Sequence, residues 1–270
     1  MNYPITIVFV YDNAKGWFLD VPGWRPGGGS RAIYTLATEL AQDSAFDVRL
    51  LVPGAVPTHP VEGVQLVTTI RGPVKRGVPG LSRLVNRRRL AAPFAGARRL
   101  VMVTTVMTTR LAEYQPVVRG LGGKTVYRVA ADFDLCPQER GSDGSDPFTA
   151  ALREVDAVVT QTDTQACWAL ELLGRESVGI SPSVRIPEKR EPAEKDTILW
   201  VGQCYALKRP WAFLELARAF PDERFVMIAP DVGAPYFFDA IADSAKSLAN
   251  LELIESVPYS EIQHHFDQAK

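Results

Sequence analysis

Lys208 and Arg209 stand directly before Pro210, shortly after the apolar run Ile198-Leu199-Trp200-Val201 and its closing Gly202. A buried strand that ends in glycine and feeds a helix points bare backbone N–H groups, and the helix's positive end, at whatever lies above the sheet. Lysine there is a compact charge suited to a phosphate. The plain alternative is a solvated lysine before a helix, since most lysines lie on surfaces. A second junction of this kind lies near the amino terminus. The strand Ile5–Val10 runs through a long loop into Gly27-Gly28-Gly29-Ser30 and a helix. Gly28 and Gly29 would let a phosphate or a hydroxyl approach the backbone closely. A flexible turn before a helix explains them equally simply. No G-x-G-x-x-G follows the first strand, so a dinucleotide fingerprint is not supported.

Asp132-Phe133-Asp134 follows the end of another strand. Asp132 is there a candidate hydrogen-bond acceptor for substrate, with Asp134 and Ala130 beside it. Two hard carboxylates at alternate positions could also hold Mg²⁺ or Mn²⁺, but three-residue patterns are common by chance and we assign no metal. Gly123-Lys124-Thr125 has the ending of a P-loop without its upstream glycine, since Val118 stands there; it reads as a turn before a strand. Between Gly63 and Ala112 the sequence has no acid and ten Lys and Arg, among them Arg83, Arg87, Arg88 and Arg89. That stretch is either a solvated face or a basic face for anionic lipid or an anionic acceptor. Nucleic acid is disfavoured, because the net charge of the chain is −1 and Phe94 is the lone aromatic of the stretch. His264 and His265 lack metal-ligand spacing, and no Ser or Cys has a His partner pattern for hydrolysis.

These residues need a frame, and the sequence supplies one. Apolar runs of strand length alternate with segments of helical period. Strands are expected at Ile5–Tyr11, Phe46–Val52, Val64–Ile70, Leu100–Val106, Lys124–Ala130, Ala157–Gln161 and Ser177–Ile180. Helices are expected at Ser30–Ala41, after Val106 to near Pro116, at Pro147–Val155 and at Thr164–Leu173, closing at Gly174. Ser183–Asp196, rich in Pro, Glu, Lys and Arg, reads as a linker between domains 1–182 and 197–270. Beyond it a βαβαβα order predicts parallel strands with helices on both faces. Three strands follow the linker, where a doubly wound domain normally has five or six. The expectation is an α/β protein of two Rossmann-like domains facing a cleft, the second incomplete.

Composition fits that class. The chain has 270 residues, 46% hydrophobic and 23% charged, as in an ordinary globular protein. Cys136, Cys167 and Cys204 are far apart and odd in number, which supports neither a disulfide framework nor a zinc ribbon. No basic leader and no membrane-length apolar run is seen, so a cytoplasmic protein is expected.

In this order and spacing the motifs resemble the retaining glycosyltransferases of family four, which have the GT-B fold. The quoted residues are Gly28-Gly29 with Leu36-Ala37 and Leu40-Ala41, then Val158-Val159-Thr160-Gln161-Thr162 with Gln165. The strongest match is Leu199-Trp200-Val201-Gly202 with Lys208-Arg209-Pro210, Phe213-Leu214-Glu215-Leu216-Ala217, Phe220-Pro221 and Phe225-Val226-Met227-Ile228. The likeness covers nearly the whole chain and the first two-thirds of the family's usual length. It implies a nucleoside-diphosphate sugar donor, a saccharide or lipid-linked acceptor held by the first domain, peripheral contact with anionic membrane, and no required cofactor or metal. Lys208 matches the family's phosphate-binding lysine. Gln203 stands where the family has an arginine, and Ala130 where it often has a histidine. The family's Glu-rich donor segment has no counterpart. Two other readings therefore stay open: a non-catalytic relative that binds an anionic sugar or a protein, and a sugar-nucleotide epimerase.

Overall fold

The computed structural model describes residues 3–19, 21, 27–69, 88–105, 110–136, 147–182, 195–231, 235–258 and 261–270. The chain divides into two compact units, Met1–Val184 and Arg185–Lys270.

The first unit is built on a parallel sheet of seven strands: β1 (Ile5–Val10), β2 (Phe46–Pro53), β3 (Gln65–Thr69), β4 (Leu100–Thr105), β5 (Lys124–Arg128), β6 (Ala157–Thr160) and β7 (Val178–Gly179). Their order is β3-β2-β1-β4-β5-β6-β7. The chain starts in the middle, winds outward one way, then crosses back, so the topological switch lies between β1 and β4. Register fixes the two sides of that point, with Ile5 opposite Phe46 and Thr6 opposite Leu100. Ligands of such sheets bind outside the carboxyl ends at this switch.

Strand alternation sorts the core onto two faces. On one face Val8, Val10, Met102, Tyr127 and Val129 pack under α3 (Arg110–Gly120), α4 (Pro147–Arg153) and α5 (Asp163–Leu173), which contribute Leu111, Tyr114, Val118, Phe148, Leu152 and Ala169. On the other, Ile7, Phe9, Leu50 and Val52 pack under the short α1 (Lys15–Phe18) and the long α2 (Gly28–Leu40), through Phe18, Ile33 and Ala37.

The expected helix end near Pro116 is corrected: α3 runs through Pro116 to Gly120. Proline lacks the N–H that would bond back to Ala112 and is costly inside a helix. Its neighbours Tyr114, Val117 and Val118 are all buried in the core. Their burial outweighs the lost bond. The helix ends instead at Gly122 (φ 74°), where the amides of Leu121 and Gly123 return to Val118. The next glycine, Gly123, allows no side chain, since a Cβ there would lie 2.8 Å from Val118. Lys124 then forms an ion pair with Asp156 (2.8 Å) at the amino end of β5, away from the carboxyl rim.

The second unit has β8 (Thr197–Val201), β9 (Arg224–Ile228) and β10 (Leu251–Ile254) in the order β10-β9-β8, all parallel. Helices α6 (Pro210–Ala219) and α7 (Pro235–Lys246) pack Phe213, Leu214, Ala217, Ile241 and Ala245 against Phe225 and Met227. The short α8 (Ile262–Asp267) brings Gln268 and Lys270 back to bond Thr197. Ala269 thereby bridges in parallel to the start of β8, on the side where β4 lies beside β1 in the first unit.

Candidate functional site

In the second unit β8 ends at Val201, and the chain turns through Gly202, Gln203, Cys204 and Tyr205 into a single 3₁₀ turn, Ala206–Lys208. Two backbone bonds tie this loop to the end of β9: Gly202 N–H to Ile228 O (3.1 Å) and Cys204 N–H to Pro230 O (2.9 Å). Cys204 is buried in the unit's core, and burial, then the nearby Asp231, pushes its thiol pKa up. It is an apolar plug, not a nucleophile. Gly202 is glycine for a steric reason, because a Cβ there would come 3.1 Å from the Trp200 ring.

Lys208 and Arg209 are both exposed. Among the described residues neither side chain takes part in an ion pair or hydrogen bond. Arg209 is the residue before α6 and sits in the left-handed region, at φ 50° and ψ 50°. Pro210 follows at the first helical position, with no amide to satisfy. Two free cations thus flank the amino end of a ten-residue helix at a strand's carboxyl end. Gln203 is half-buried and supplies an amide but no charge.

In the first unit the carboxyl ends of β1, β4, β5 and β6 carry a row of polar groups. Beyond β1, Tyr11 packs on the α2 face and its hydroxyl lies against Gly29, where a Cβ would approach it to 3.2 Å. Burial, chiefly, raises the Tyr11 pKa; a hydrogen bond with Asn13 opposes this, and Asp134 adds to it. The start of α2 is braced from within. Ser30 Oγ accepts from Gly27 N–H (3.1 Å) and from Trp17 Nε1–H (3.1 Å), and donates to Gly27 O (2.8 Å). Gly28 is exposed, and among the described residues nothing lies within 4 Å of where its Cβ would be. Next to β4, Arg110 reaches Asp12 (3.5 Å) and Glu113 (3.3 Å).

Beyond β5 the three substrate-side candidates separate. Asp134 is fully buried, and its Oδ2 accepts from Ala130 N–H (2.9 Å) and Ala131 N–H (3.3 Å), closing the 3₁₀ turn Asp132–Asp134. Asp132 is exposed, with Oδ1 held by Gln165 Nε2–H at 3.0 Å. Gln165, in turn, accepts from Gln161 N–H (2.9 Å) and is itself buried. Ala130 contributes a methyl group and its amide. The two carboxylates therefore do not converge as a pair. Among the described residues no group of three or more His, Cys, Asp or Glu is placed to hold a metal ion. Of the basic stretch, Arg83 and Arg87 lie outside the described residues, whereas Arg88 and Arg89 are exposed on a short helical segment. No helix among the described residues is long and apolar enough to cross a membrane.

One charged residue at this rim belongs to no motif of the sequence. Arg128 ends β5 and is only 8% exposed. A cation within Lys-Thr-Val-Tyr-Arg-Val-Ala, an otherwise strand-like run in a buried parallel sheet, is the signal that could have found it.

No protein-family model matches this sequence, and no curated protein matches it. Solved structures do. A glycosyltransferase from Rickettsia africae ESF-5 is similar over 99% of this chain and 72% of that one, with a TM-score of 0.66 at 13% identity. A UDP-forming α,α-trehalose-phosphate synthase from Burkholderia xenovorans covers 98% and 76%, with TM-score 0.63 and 13% identity. The catalytic domain of starch synthase IV from Arabidopsis thaliana, bound to ADP and acarbose, covers 98% and 77%, with TM-score 0.61 and 11% identity. At these identities the likeness is one of fold, and the fold is GT-B: parallel α/β units of the Rossmann type.

Proposed function

We propose that this protein is a glycosyltransferase that moves a sugar from a nucleoside-diphosphate donor to a saccharide or lipid-linked acceptor, with retention of configuration. The observation that carries the reading is the pair of unpaired cations, Lys208 and Arg209, beside a glycine-ended strand and a helix start. In retaining transfer the anomeric carbon–oxygen bond breaks as negative charge builds on the leaving diphosphate. Cations and backbone N–H groups fixed where that charge appears lower the barrier without reorganising. Residues 197–270 form the donor-side domain in this reading, with Gly202 and Gln203 lining the phosphates, and residues 1–182 the acceptor side. Gly28 and Gly29 offer bare amides to a phosphate or a sugar hydroxyl, and Asp132 a carboxylate to an acceptor hydroxyl. No protein nucleophile is assigned, and the chemistry calls for no resident metal or cofactor. The setting is cytoplasmic, with Arg88 and Arg89 available to an anionic membrane.

The test is direct. Lys208→Ala should weaken binding of a nucleoside diphosphate at least tenfold, which is about 1.4 kcal/mol. Unchanged affinity removes Lys208 from the site. Gln203 and Ala130, which replace a charge and an imidazole of the resembled family, favour a second reading as a non-catalytic sugar-binding relative. Incubation with a panel of nucleotide sugars and acceptors separates the two: transfer or donor hydrolysis supports the enzyme, and ligand binding without turnover supports the binder.

A further inference from the structure

We propose that Arg128, the Thr105 hydroxyl and the amino end of α2 form an anion subsite in the first unit that takes the phosphoryl group of a phosphorylated acceptor. The acceptor role rests on the glycosyl-transfer reading; the anion site itself does not.

The strand register brings the three parts to one face. Tyr11 and Val103 both pack with the core beneath α2. Thr105 lies two residues beyond Val103, so its side chain emerges on that same face. Thr105 is paired with Arg128 across β4 and β5, and paired residues share a face. Adjacent strands are about 4.8 Å apart, so Arg128 originates roughly 10 Å from the line of β1. Just beyond the end of β1 the Tyr11 hydroxyl lies against Gly29, which sets the amino end of α2 beside the carboxyl end of β1, one strand from Thr105. On the other side of Arg128 the sheet face is not sealed: Val126 and Val159, which flank it, remain half-exposed.

The electrostatics ask for a counterion. Arginine stays protonated in proteins, so its charge cannot be shed. Arg128 is nine-tenths buried, and among the described residues it has no ion pair and no hydrogen bond. Burial alone pulls its pKa down, with no carboxylate opposing it. A buried charge left unpaired is costly. The Thr105 Oγ1 is likewise buried with no partner. Asp134 accepts through Oδ2 from the amides of Ala130 and Ala131, Asp12 through Oδ2 from Arg110, and among the described residues neither pairs with Arg128. A phosphoryl group answers all three donors: it takes the planar guanidinium fork bidentately, a hydroxyl, and the amides of a thirteen-residue helix.

The experiment titrates the full chain with inorganic phosphate, a hexose phosphate and a nucleoside diphosphate. It follows the Arg Nε–H resonances of the wild type by NMR and affinity by calorimetry. Expected is a shifted, slowly exchanging Nε–H signal on adding phosphate or hexose phosphate, and at least a tenfold loss of hexose-phosphate affinity in Arg128→Met. The same variant should be as stable as wild type or more so, because a structural arginine would lose stability and an unpaired one does not. Thr105→Val, which keeps the fold's shape, should lose several-fold. An unmoved Nε–H signal in the wild type overturns the site. So does an undiminished affinity in Arg128→Met. If Arg128→Met weakens the nucleoside diphosphate and leaves hexose phosphate untouched, the acceptor assignment falls. Phosphate binding at Arg128 with no nucleotide bound by any form of the protein leaves this subsite standing and removes the glycosyl-transfer reading instead.

Discussion

Arg209 is held where few side chains settle. It and Glu62 are the non-glycine residues with positive φ among those described. Glu62 accepts a hydrogen bond from the Tyr34 hydroxyl (2.6 Å), while no cap bond holds the Arg209 side chain. The left-handed conformation costs an L-residue about 1–2 kcal/mol. Glycine would shed that strain but adds about 0.5–1 kcal/mol of unfolded-chain entropy. The strain term is the larger, so Arg209→Gly should leave stability in urea level or raise it by up to about 1 kcal/mol. It should at the same time weaken nucleoside-diphosphate binding several-fold. Lost stability with unaltered binding would make Arg209 a structural residue and no more. At this scale the sequence shows what a residue can do and hides how it is held. The junction that carries Gly202 and Lys208 was legible because its order along the chain is its arrangement in space. Arg128 was not, because its solitude depends on Thr105 and Tyr11, which two other strands bring to it. Asp134 read as a candidate ligand because a carboxylate in a loop looks free until the amides of Ala130 and Ala131 are seen bonded to it.

Elements show where local chemistry yields to packing. The period of apolar residues was enough to locate the strands and most helices, and right-handed crossovers then fix their order. The end of α3 was misjudged because proline's local penalty is visible in sequence and the burial of Tyr114, Val117 and Val118 is not. The same contest yields a prediction: Pro116→Ala restores the missing amide donor inside α3 and should raise stability by about 1 kcal/mol or more, read as a higher thermal midpoint. An unchanged or lower midpoint would mean that Ala112 O is satisfied in another way. Asp156 joins β5 to the turn before β6, accepting from Lys124 Nζ (2.8 Å), Thr125 N–H (2.8 Å) and Thr125 Oγ1 (3.2 Å). Burial pushes its pKa up, but the bonds from Lys124 and Thr125 and the Lys124 charge outweigh that, and the net shift is downward. A folded pKa below the unfolded value of about 3.9 stabilises the protein above that pH, and the contribution fades as pH falls through the folded value. Asp156→Asn should therefore cost stability at neutral pH and flatten the loss of stability below about pH 4. An acid limb of unchanged steepness would assign that titration to other carboxylates.

At the scale of the whole molecule, each unit carries its own core and its own candidate anion site. The first buries apolar residues on both faces of seven strands; the second has one core on three. The fraction of surface buried rises with domain size, so the first should be the more stable by itself. Expressed separately, residues 1–184 should unfold cooperatively in urea, and residues 185–270 at a lower midpoint. A ligand stabilises only the folded unit that holds it, by RT ln(1 + [L]/Kd), which at a hundred times Kd is about 2.7 kcal/mol. Hexose phosphate should then raise the midpoint of 1–184 through Arg128, and do nothing for 185–270. A nucleoside diphosphate should raise that of 185–270 through Lys208 and Arg209, and the Lys208→Ala form of that fragment should show no such rise. The pattern of shifts reads the division of labour without any turnover. Were hexose phosphate to stabilise the second fragment, or the nucleoside diphosphate the first alone, donor and acceptor sides would have to be exchanged. The cation pair before α6 would then be serving the acceptor.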